Sequence, residues 1–228
     1  PGAGYAGGGV PFAPLAEMQL MAIRQWAEMA RVLGARILRV FTGPANGHEE
    51  CTAQWRRSVE FLRQTCDIAG EFVAPRAEDV DRVGSVLADG EVRYAPGIAE
   101  SLQRLRQADL MGISLPRRFG GLNFPVTILL MVIEMISRAD PALMNVFGLQ
   151  DIADTINKFG SEALKEQFLP RFASGQVTGS MALTEPEAGS DLQNVQLRAT
   201  LDDTGVWRLT GVKRFITNGC GQVSLVLA

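Results

Sequence analysis

The sequence predicts an α+β protein in which a helical domain is followed by an incomplete antiparallel β domain and preceded by an α/β fragment. A helix–strand–helix pattern occupies residues 17–69, after a Gly- and Pro-rich start at residues 1–16 that we expect to be flexible. Helical periodicity dominates residues 70–176, and period-two alternation dominates residues 177–228. These changes of period define four segments and place their boundaries.

The front fragment has two predicted helices on either side of a strand. Apolar residues between Glu17 and Leu33 share one helical face, and Arg36–Phe41 alternates like a short strand. A second helix is expected from about Ala53 to near Pro75. After Pro75 the chain is expected to be entirely helical up to the β domain, so the α/β pattern does not continue.

The helical domain contains several predicted helices, two of which begin at recognisable N-cap residues. Helices are predicted at Ile98–Met111 and at Pro125–Ser137, and the second is apolar almost all round, which indicates deep burial. Asp140–Pro141 combines an N-cap with proline at the first helical position and opens the next helix. Ser161 is expected to cap a further helix that ends near Ser174.

The C-terminal part reads as short strands joined by tight turns. Strands are predicted at Val195–Leu201, Val206–Thr210, Arg214–Thr217 and Gln222–Leu227, with a turn at Asp202–Gly205. A meander with an open edge is marginally stable by itself. We therefore expect this β domain to be incomplete.

Composition excludes several function classes. The 228 residues carry a net charge of -3 with scattered Lys and Arg, which argues against a nucleic-acid partner. Cys51, Cys66 and Cys220 are far apart and are expected to be reduced thiols, and His48 is expected to be solvated. No metal site is predicted. The apolar run Val126–Ile133 is too short for a membrane span, and no signal peptide is recognisable, so we expect a cytoplasmic protein.

Two segments carry chemistry, and the first is MALTEPEAGSD at Met181–Asp191. Pro186 stiffens this loop, and Gly189 allows the backbone to approach a flat object closely. Thr184 and Ser190 supply small hydroxyl groups. The residues alone favour an ordinary turn over a binding loop.

The second segment is KRFITNG at Lys213–Gly219. In a strand, Phe215 and Thr217 would lie on the same face and place an aromatic wall beside a hydroxyl. That arrangement suits a planar heteroaromatic ring, although a core phenylalanine on an ordinary strand gives the same pattern.

MALTEPEAGSD followed by TGVKRFITNG resembles the signature pair of acyl-CoA dehydrogenases, in the same order and at similar spacing. The upstream segments RRFGGLNFP (117–125), ISRADPAL (136–143) and KFGSEALKEQFLPRFASGQVTGS (158–180) resemble the helical domain of the same family. The resemblance covers about residues 69–228. It implies an FAD enzyme that oxidises an acyl-CoA thioester between its α and β carbons.

The resemblance also assigns binding residues. FAD contacts are expected from Met181, Ala182, Leu183, Thr184, Gly189, Ser190, Phe215, Ile216 and Thr217. Thr184 would meet the pyrimidine edge of the flavin, Phe215 would stack near its ring, and Thr217 would hydrogen-bond near N5. Ser190 would also contact the acyl-CoA. Arg214 departs from the family's usual apolar residue, and by alternation it would point away from the flavin.

The catalytic residue is expected outside this chain. In the family a glutamate of the C-terminal helical domain removes the α-proton while hydride passes to the flavin, so the base is expected beyond Ala228. Glu185 and Glu187 resemble a paired acid and base, but the family gives neither that role. The implied partners are acyl-CoA, an electron-transfer flavoprotein as acceptor, and further copies of the complete enzyme in a homo-oligomer.

Within the family, EFVAPRAEDVDRVGSVLADGEV (71–92) and the ending VSLVLA resemble the branch that includes 3-methylmercaptopropionyl-CoA dehydrogenases. A few residues typical of that branch are absent between Gly219 and Gln222. This branch favours a short or sulfur-containing acyl group.

Residues 18–69 have a different resemblance. MQLMAIRQWAEMARVLGARILRVFTGP and QWRRSVEFLRQTCDIA are similar to sugar-phosphate isomerase/epimerase TIM barrels. One hypothesis is a chimera joined near residues 66–70. The alternatives are a dehydrogenase with a helical N-terminal extension, an inactive fragment, an isomerase-like protein, and a non-catalytic subunit completed in trans. Rapid proteolysis at residues 42–52 would favour the chimera.

Overall fold

The computed structural model describes residues 51–228, with side chains from residue 56 onward. The predicted flexible start, the first helix and strand of the front fragment, and His48 lie outside the described residues. The helices are α1 Cys51–Asp67, α2 Ala77–Val83, α3 Pro96–Gln107, α4 Val126–Ala139, α5 Pro141–Gly148, α6 Ile152–Phe159 and α7 Glu162–Ala173. The strands are β1 Val86–Ala88, β2 Glu91–Arg93, β3 Gly179–Ala182, β4 Arg198–Leu201, β5 Trp207–Thr210 and β6 Val223–Val226.

The helix expected to end near Pro75 continues past it in a changed form. A π-helical stretch at Ile68–Val73 and a 3-10 turn at Ala74–Arg76 join α1 to α2. The Arg76 guanidinium donates to the Phe72 carbonyl at 2.6 Å. The wider and then tighter turns accommodate Pro75, which has no N–H to donate to the helix ladder.

Two hydrophobic clusters form the core of the part of the chain that the structure describes. The larger one joins α1, α3, α4 and α5, and its fully buried members include Val73, Leu105 and Met135. The smaller one joins α6 and α7, and Val223 and Leu225 of β6 pack against it. The β6 strand therefore ties the β region to the helical region.

Both predicted helix caps are present. The Asp140 carboxylate accepts hydrogen bonds from the Ala142 and Leu143 N–H groups at 2.8 and 3.1 Å, with Pro141 at the first helical position. The Ser161 hydroxyl accepts from the Leu164 N–H at 3.4 Å. These caps satisfy N–H groups that have no partner inside the helix.

The prediction of an entirely helical stretch after Pro75 was wrong at residues 86–93. There β1 and β2 form an antiparallel hairpin whose turn holds Asp89 and Gly90 at φ 54° and 81°. Asp-Gly is a typical hairpin sequence because both residues tolerate positive φ. The strands have only three residues each, so they have no extended alternation that would have indicated them.

Two helices differ from the predictions made from their apolar patterns: one is shorter than predicted, and the other is less buried. The third predicted helix ends at Gln107, since Asp109 has a left-handed backbone at φ 57°. Helix α4 buries one face only: Val132 and Ile136 are inside, whereas Leu130 is 57% exposed. The prediction of deep burial on all sides was therefore wrong for α4, because apolar residues also occupy its exposed face.

The β region differs from the expected meander in one pairing. Strands β4 and β5 form the antiparallel hairpin that alternation predicted, with Leu201 opposite Trp207. Strand β3, however, pairs in parallel with β6, with Gly179 opposite Val223. The connection between β3 and β6 contains the β4–β5 hairpin, which is long enough to return the chain in the same direction.

The predicted strand at Arg214–Thr217 was wrong. This segment is an irregular loop in which Phe215 and Asn218 have φ of 55° and 52°. A left-handed residue interrupts the alternation of side chains on which the prediction depended. Within residues 51–228, no helix combines the length and apolar character that a membrane span requires.

Candidate functional site

The two motif segments lie against each other at the end of β3. The Lys213 ammonium donates to the Leu183 carbonyl at 2.9 Å, and the Arg214 N–H donates to the Thr184 carbonyl at 2.9 Å. The loop that carries Phe215 and Thr217 is thus held directly beside the loop that carries Thr184. Sequence order alone did not require this contact, because 30 residues separate Leu183 from Lys213.

Glu185 connects the same two segments through a buried ion pair. Its carboxylate accepts from the Lys213 ammonium at 2.8 Å and from the Gln196 and Leu197 N–H groups at 2.6 and 3.0 Å. Only 3% of the Glu185 side chain and 9% of the Lys213 side chain are exposed. The Lys213 hydrogen bond and then the Gln196 N–H hold the pKa of Glu185 below its usual range.

The geometry gives Glu185 a structural role. A carboxylate that is ionised, buried and fully hydrogen-bonded is a poor proton acceptor. Glu187 is exposed at the tip of a tight turn in which the Glu185 N–H donates to the Ala188 carbonyl at 2.8 Å. The two glutamates therefore have different environments and do not form an acid–base pair.

The far end of the first loop is open to solvent. Gly189 and Ser190 are exposed, and a Cβ placed on Gly189 would meet no atom of residues 51–228 within 4 Å. The protein's own packing therefore does not require glycine at this position. An approaching ligand would find free space above the backbone.

The second loop presents Phe215 outward. Its side chain is 82% exposed, and the Arg214 guanidinium lies over its ring at 4.9 Å from the centroid. Thr217 is exposed and Ile216 is half-buried. The expected shared strand face of Phe215 and Thr217 does not exist, but both side chains are accessible from the loop.

The expected contact residues differ in accessibility. Met181 is at the margin of exposure, the Ala182 side chain is buried, and Leu183 and Thr184 are half-buried. The Ala182 carbonyl already accepts from the Leu227 N–H at 3.1 Å. The exposed members of the set are therefore on the two loops and the outer face of β3.

Asn218 was not among the predicted site residues, yet it organises the turn next to Thr217. Its side-chain amide donates to the Gly179 carbonyl at 2.7 Å and to the Thr178 hydroxyl at 3.2 Å. Its amide oxygen accepts from the Tyr94 hydroxyl. Asparagine is also among the residues that best tolerate its left-handed backbone.

Tyr94 is the second residue that sequence reasoning missed. It lies between β2 and α3, and its hydroxyl is 3.5 Å from the Cys220 sulfur as well as bonded to Asn218. Burial, followed by the interaction with Cys220, raises the pKa of Tyr94 to about 12. No local pattern marks a single tyrosine whose partner lies 124 residues away.

A cavity of about 470 Å³ opens between the helical region and this turn. Val80, Ile98 and Val146 contribute apolar walls, while Tyr94 and Thr217 contribute hydroxyl groups. The volume and the mixture of apolar walls with a few polar groups are typical of small-molecule sites.

Known proteins resemble the chain over most of the described residues. The family models for the N-terminal and middle domains of acyl-CoA dehydrogenases match residues 57–176 and 180–228. The 3-methylmercaptopropionyl-CoA dehydrogenase of Ruegeria pomeroyi is 32% identical over 169 residues, which are 72% of this chain and 28% of that protein.

Solved structures give the same result. Butyryl-CoA dehydrogenase from Megasphaera elsdenii superposes with a TM-score of 0.64 at 27% identity, covering 74% of this chain and 43% of that one. An acyl-CoA dehydrogenase from Bacillus anthracis complexed with FAD has a TM-score of 0.64 at 23% identity, covering 82% and 30%. The chain therefore spans less than half the length of each of these relatives.

Proposed function

The chain belongs to the acyl-CoA dehydrogenase family, and on that premise we propose that the full-length protein performs FAD-dependent oxidation of an acyl-CoA thioester to the 2,3-enoyl-CoA. The observation that carries the proposal is the contact between the two motif loops. Lys213 bonds both Leu183 and Glu185, and the joined loops expose Phe215 and Thr217.

The residues present fit a flavin. An exposed aromatic side chain, Phe215, stands on a loop fixed beside Thr184, and Gly189 leaves open space above the backbone. A flat ring with hydrogen-bonding edges requires this combination of stacking surface, hydroxyl groups and unobstructed main chain. When bound, FAD would supply the acceptor for the hydride.

We propose the following roles for the chain's own residues. Phe215 packs near the flavin ring, and the Thr217 hydroxyl hydrogen-bonds near N5. Thr184 bonds the pyrimidine edge, and Ser190 contacts both flavin and acyl-CoA. Met181, Ala182, Leu183, Gly189 and Ile216 complete the lining. Because the Ala182 side chain is buried, its contribution would be to the shape of the strand.

The acyl group is proposed to enter the cavity beside Thr217. The apolar walls of this cavity at Val80, Ile98 and Val146 would keep water away from an alkyl chain. A dry site favours the transfer of hydride to the flavin over its loss to solvent. Resemblance to the Ruegeria relative favours a short or sulfur-containing acyl group.

The base is proposed to lie beyond Ala228 in the full-length protein, as the family resemblance implies. Glu185 cannot replace it, since its carboxylate is held by Lys213 and two N–H groups. A missing general base costs about 10²- to 10⁴-fold in rate. The electron-transfer flavoprotein acceptor, the homo-oligomer and the cytoplasmic location also remain predictions.

The domain limits at 70–176 and 177–228 are likewise proposals, supported by family matches that end at residue 176 and resume at residue 180. The N-terminal match begins at residue 57, within the segment that also resembles an isomerase. Leu62 and Cys66 pack in the same core as α3 to α5. This packing favours a helical extension of the dehydrogenase over a junction at residues 66–70.

The test uses the full-length protein reconstituted with FAD. We expect the two visible bands of an oxidised bound flavin, and bleaching of these bands when a suitable acyl-CoA is added without oxygen. Phe215→Ala should weaken FAD binding, whereas Glu187→Gln, an exposed loop change, should not. A protein that binds no FAD but is stabilised by divalent metal would instead support the isomerase-like alternative.

A further inference from the structure

The turn at residues 217–220 is held both by its own backbone hydrogen bonds and by the side chain of Asn218. It is closed by hydrogen bonds from the Gly219 N–H to the Ile216 carbonyl at 3.1 Å and from the Gly221 N–H to the Asn218 carbonyl at 2.8 Å. Asn218 has a left-handed backbone at φ 52°. Thr217 is the preceding residue, so its position follows that of Asn218.

The Asn218 side chain has one orientation that satisfies all of its partners. Its NH₂ group faces two acceptors, the Gly179 carbonyl at 2.7 Å and the Thr178 hydroxyl at 3.2 Å. The amide oxygen must then face the opposite side, where the Tyr94 hydroxyl donates to it. Rotation of the amide would set two oxygens against each other at Gly179.

Tyr94 is well placed to hold Asn218 because it is anchored in the helical region. Its ring packs against the larger core cluster, and the adjacent Ala95 is buried at the start of α3. The Ala95 carbonyl accepts the Ile98 N–H at 2.9 Å, which fixes the chain next to the tyrosine. A rigid element of the helical region therefore contacts the turn directly.

We propose that Tyr94 is a positioning residue for the flavin contact: its hydroxyl holds Asn218, and through Asn218 it sets where the Thr217 hydroxyl meets the flavin. This inference rests on the proposed FAD site. It assigns Tyr94 an indirect role, since the hydroxyl already bonds Asn218. The raised pKa of Tyr94 is consistent with a hydroxyl that remains protonated and able to donate throughout the physiological range.

The experiment compares wild-type full-length protein with Tyr94→Phe, which keeps the ring and removes the hydroxyl. The readouts are the FAD dissociation constant, the visible spectrum of the bound flavin, its reduction potential and the thermal midpoint without FAD. We expect FAD binding about five- to tenfold weaker, the loss associated with one hydrogen bond. We also expect a shifted visible spectrum and potential. Glu187→Gln, an exposed loop change, should leave all four readouts unchanged.

Each outcome decides the question. A Tyr94→Phe protein with wild-type FAD affinity, spectrum and potential would overturn the inference and leave the proposed function intact. Lower stability with an unchanged flavin spectrum and potential would also overturn it, since that result indicates a structural role alone. A wild-type protein without bound flavin would overturn the proposed function together with this inference. If Tyr94→Phe fails to fold, Asn218→Gly removes the acceptor together with the bonds to Gly179 and Thr178, so shifts in the same direction but larger are expected, and an unchanged flavin spectrum and potential would overturn the inference.

Discussion

Replacement of Asn218 by alanine should destabilise the protein more than its half-buried surface position suggests. The substitution removes two hydrogen bonds donated by the side-chain amide and one accepted from Tyr94. At about 1 kcal/mol each, these bonds amount to about 3 kcal/mol. A left-handed backbone, φ 52° here, costs alanine about 1 kcal/mol more. We therefore expect the free energy of unfolding to fall by about 4 kcal/mol.

Companion variants separate the two contributions. Asn218→Gly loses the same hydrogen bonds without the left-handed penalty, so it should retain about 1 kcal/mol relative to Asn218→Ala. Asn123 is a matched control, since it also has a left-handed backbone at φ 57° and its side chain has no hydrogen bond among the described residues. Asn123→Ala should therefore cost only about 1 kcal/mol.

A third variant tests the direction of the hydrogen bonds. Asn218→Asp keeps an acceptor for Tyr94 but places a carboxylate oxygen against the Gly179 carbonyl. It should be at least as unstable as Asn218→Ala at neutral pH. Its stability should recover as the pH falls and the carboxyl group is protonated, because the protonated group can donate again.

Equilibrium unfolding in urea, followed by circular dichroism, measures the four variants against wild type. The reasoning is refuted if Asn218→Ala costs no more than Asn123→Ala, because the side-chain bonds would then contribute nothing. It is also refuted if Asn218→Asp is as stable as wild type at neutral pH.

Four further predictions concern the neighbouring groups. Lys213→Met should be more destabilising than the double variant Lys213→Met/Glu185→Gln in urea unfolding, because the single variant leaves a buried carboxylate without its cation. Because the pKa of Glu185 is lower in the folded than in the unfolded protein, its ionised carboxylate stabilises the fold above the unfolded pKa. This stabilisation is lost as the pH falls through the folded pKa, so Glu185→Gln should lose less stability in acid than wild type. Phe215→Ala should change the free energy of unfolding by no more than about 0.5 kcal/mol, because the ring is 82% exposed, and yet weaken FAD binding measured by flavin fluorescence. The tyrosinate absorbance that wild type shows and Tyr94→Phe lacks should report the Tyr94 pKa of about 12, and a midpoint near 10 would contradict the buried hydrogen-bonded environment. The raised pKa contributes stability that is present below about pH 10 and lost as pH rises towards 12.

Sequence reasoning succeeded where the physics is local. Asp140–Pro141 and Ser161 cap their helices as predicted, because an N-cap side chain bonds N–H groups only two or three residues away. Alternation predicted the hairpin of β4 and β5 for the same reason, since a short turn brings adjacent residues together. The Asp89–Gly90 turn was equally local, and attention to that dipeptide would have found the β1–β2 hairpin.

The sequence by itself determined the caps and the turn at Asp202, and it identified the two segments that were expected to bind a flavin, although it predicted the second of them as a strand. The tertiary structure decided the rest of the site. It paired β6 in parallel with β3, set Phe215 in a left-handed loop, and joined Lys213 to Glu185 and Tyr94 to Asn218. These contacts join residues 28 to 124 positions apart. No periodicity encodes such contacts, because they depend on where the packed core brings each side chain.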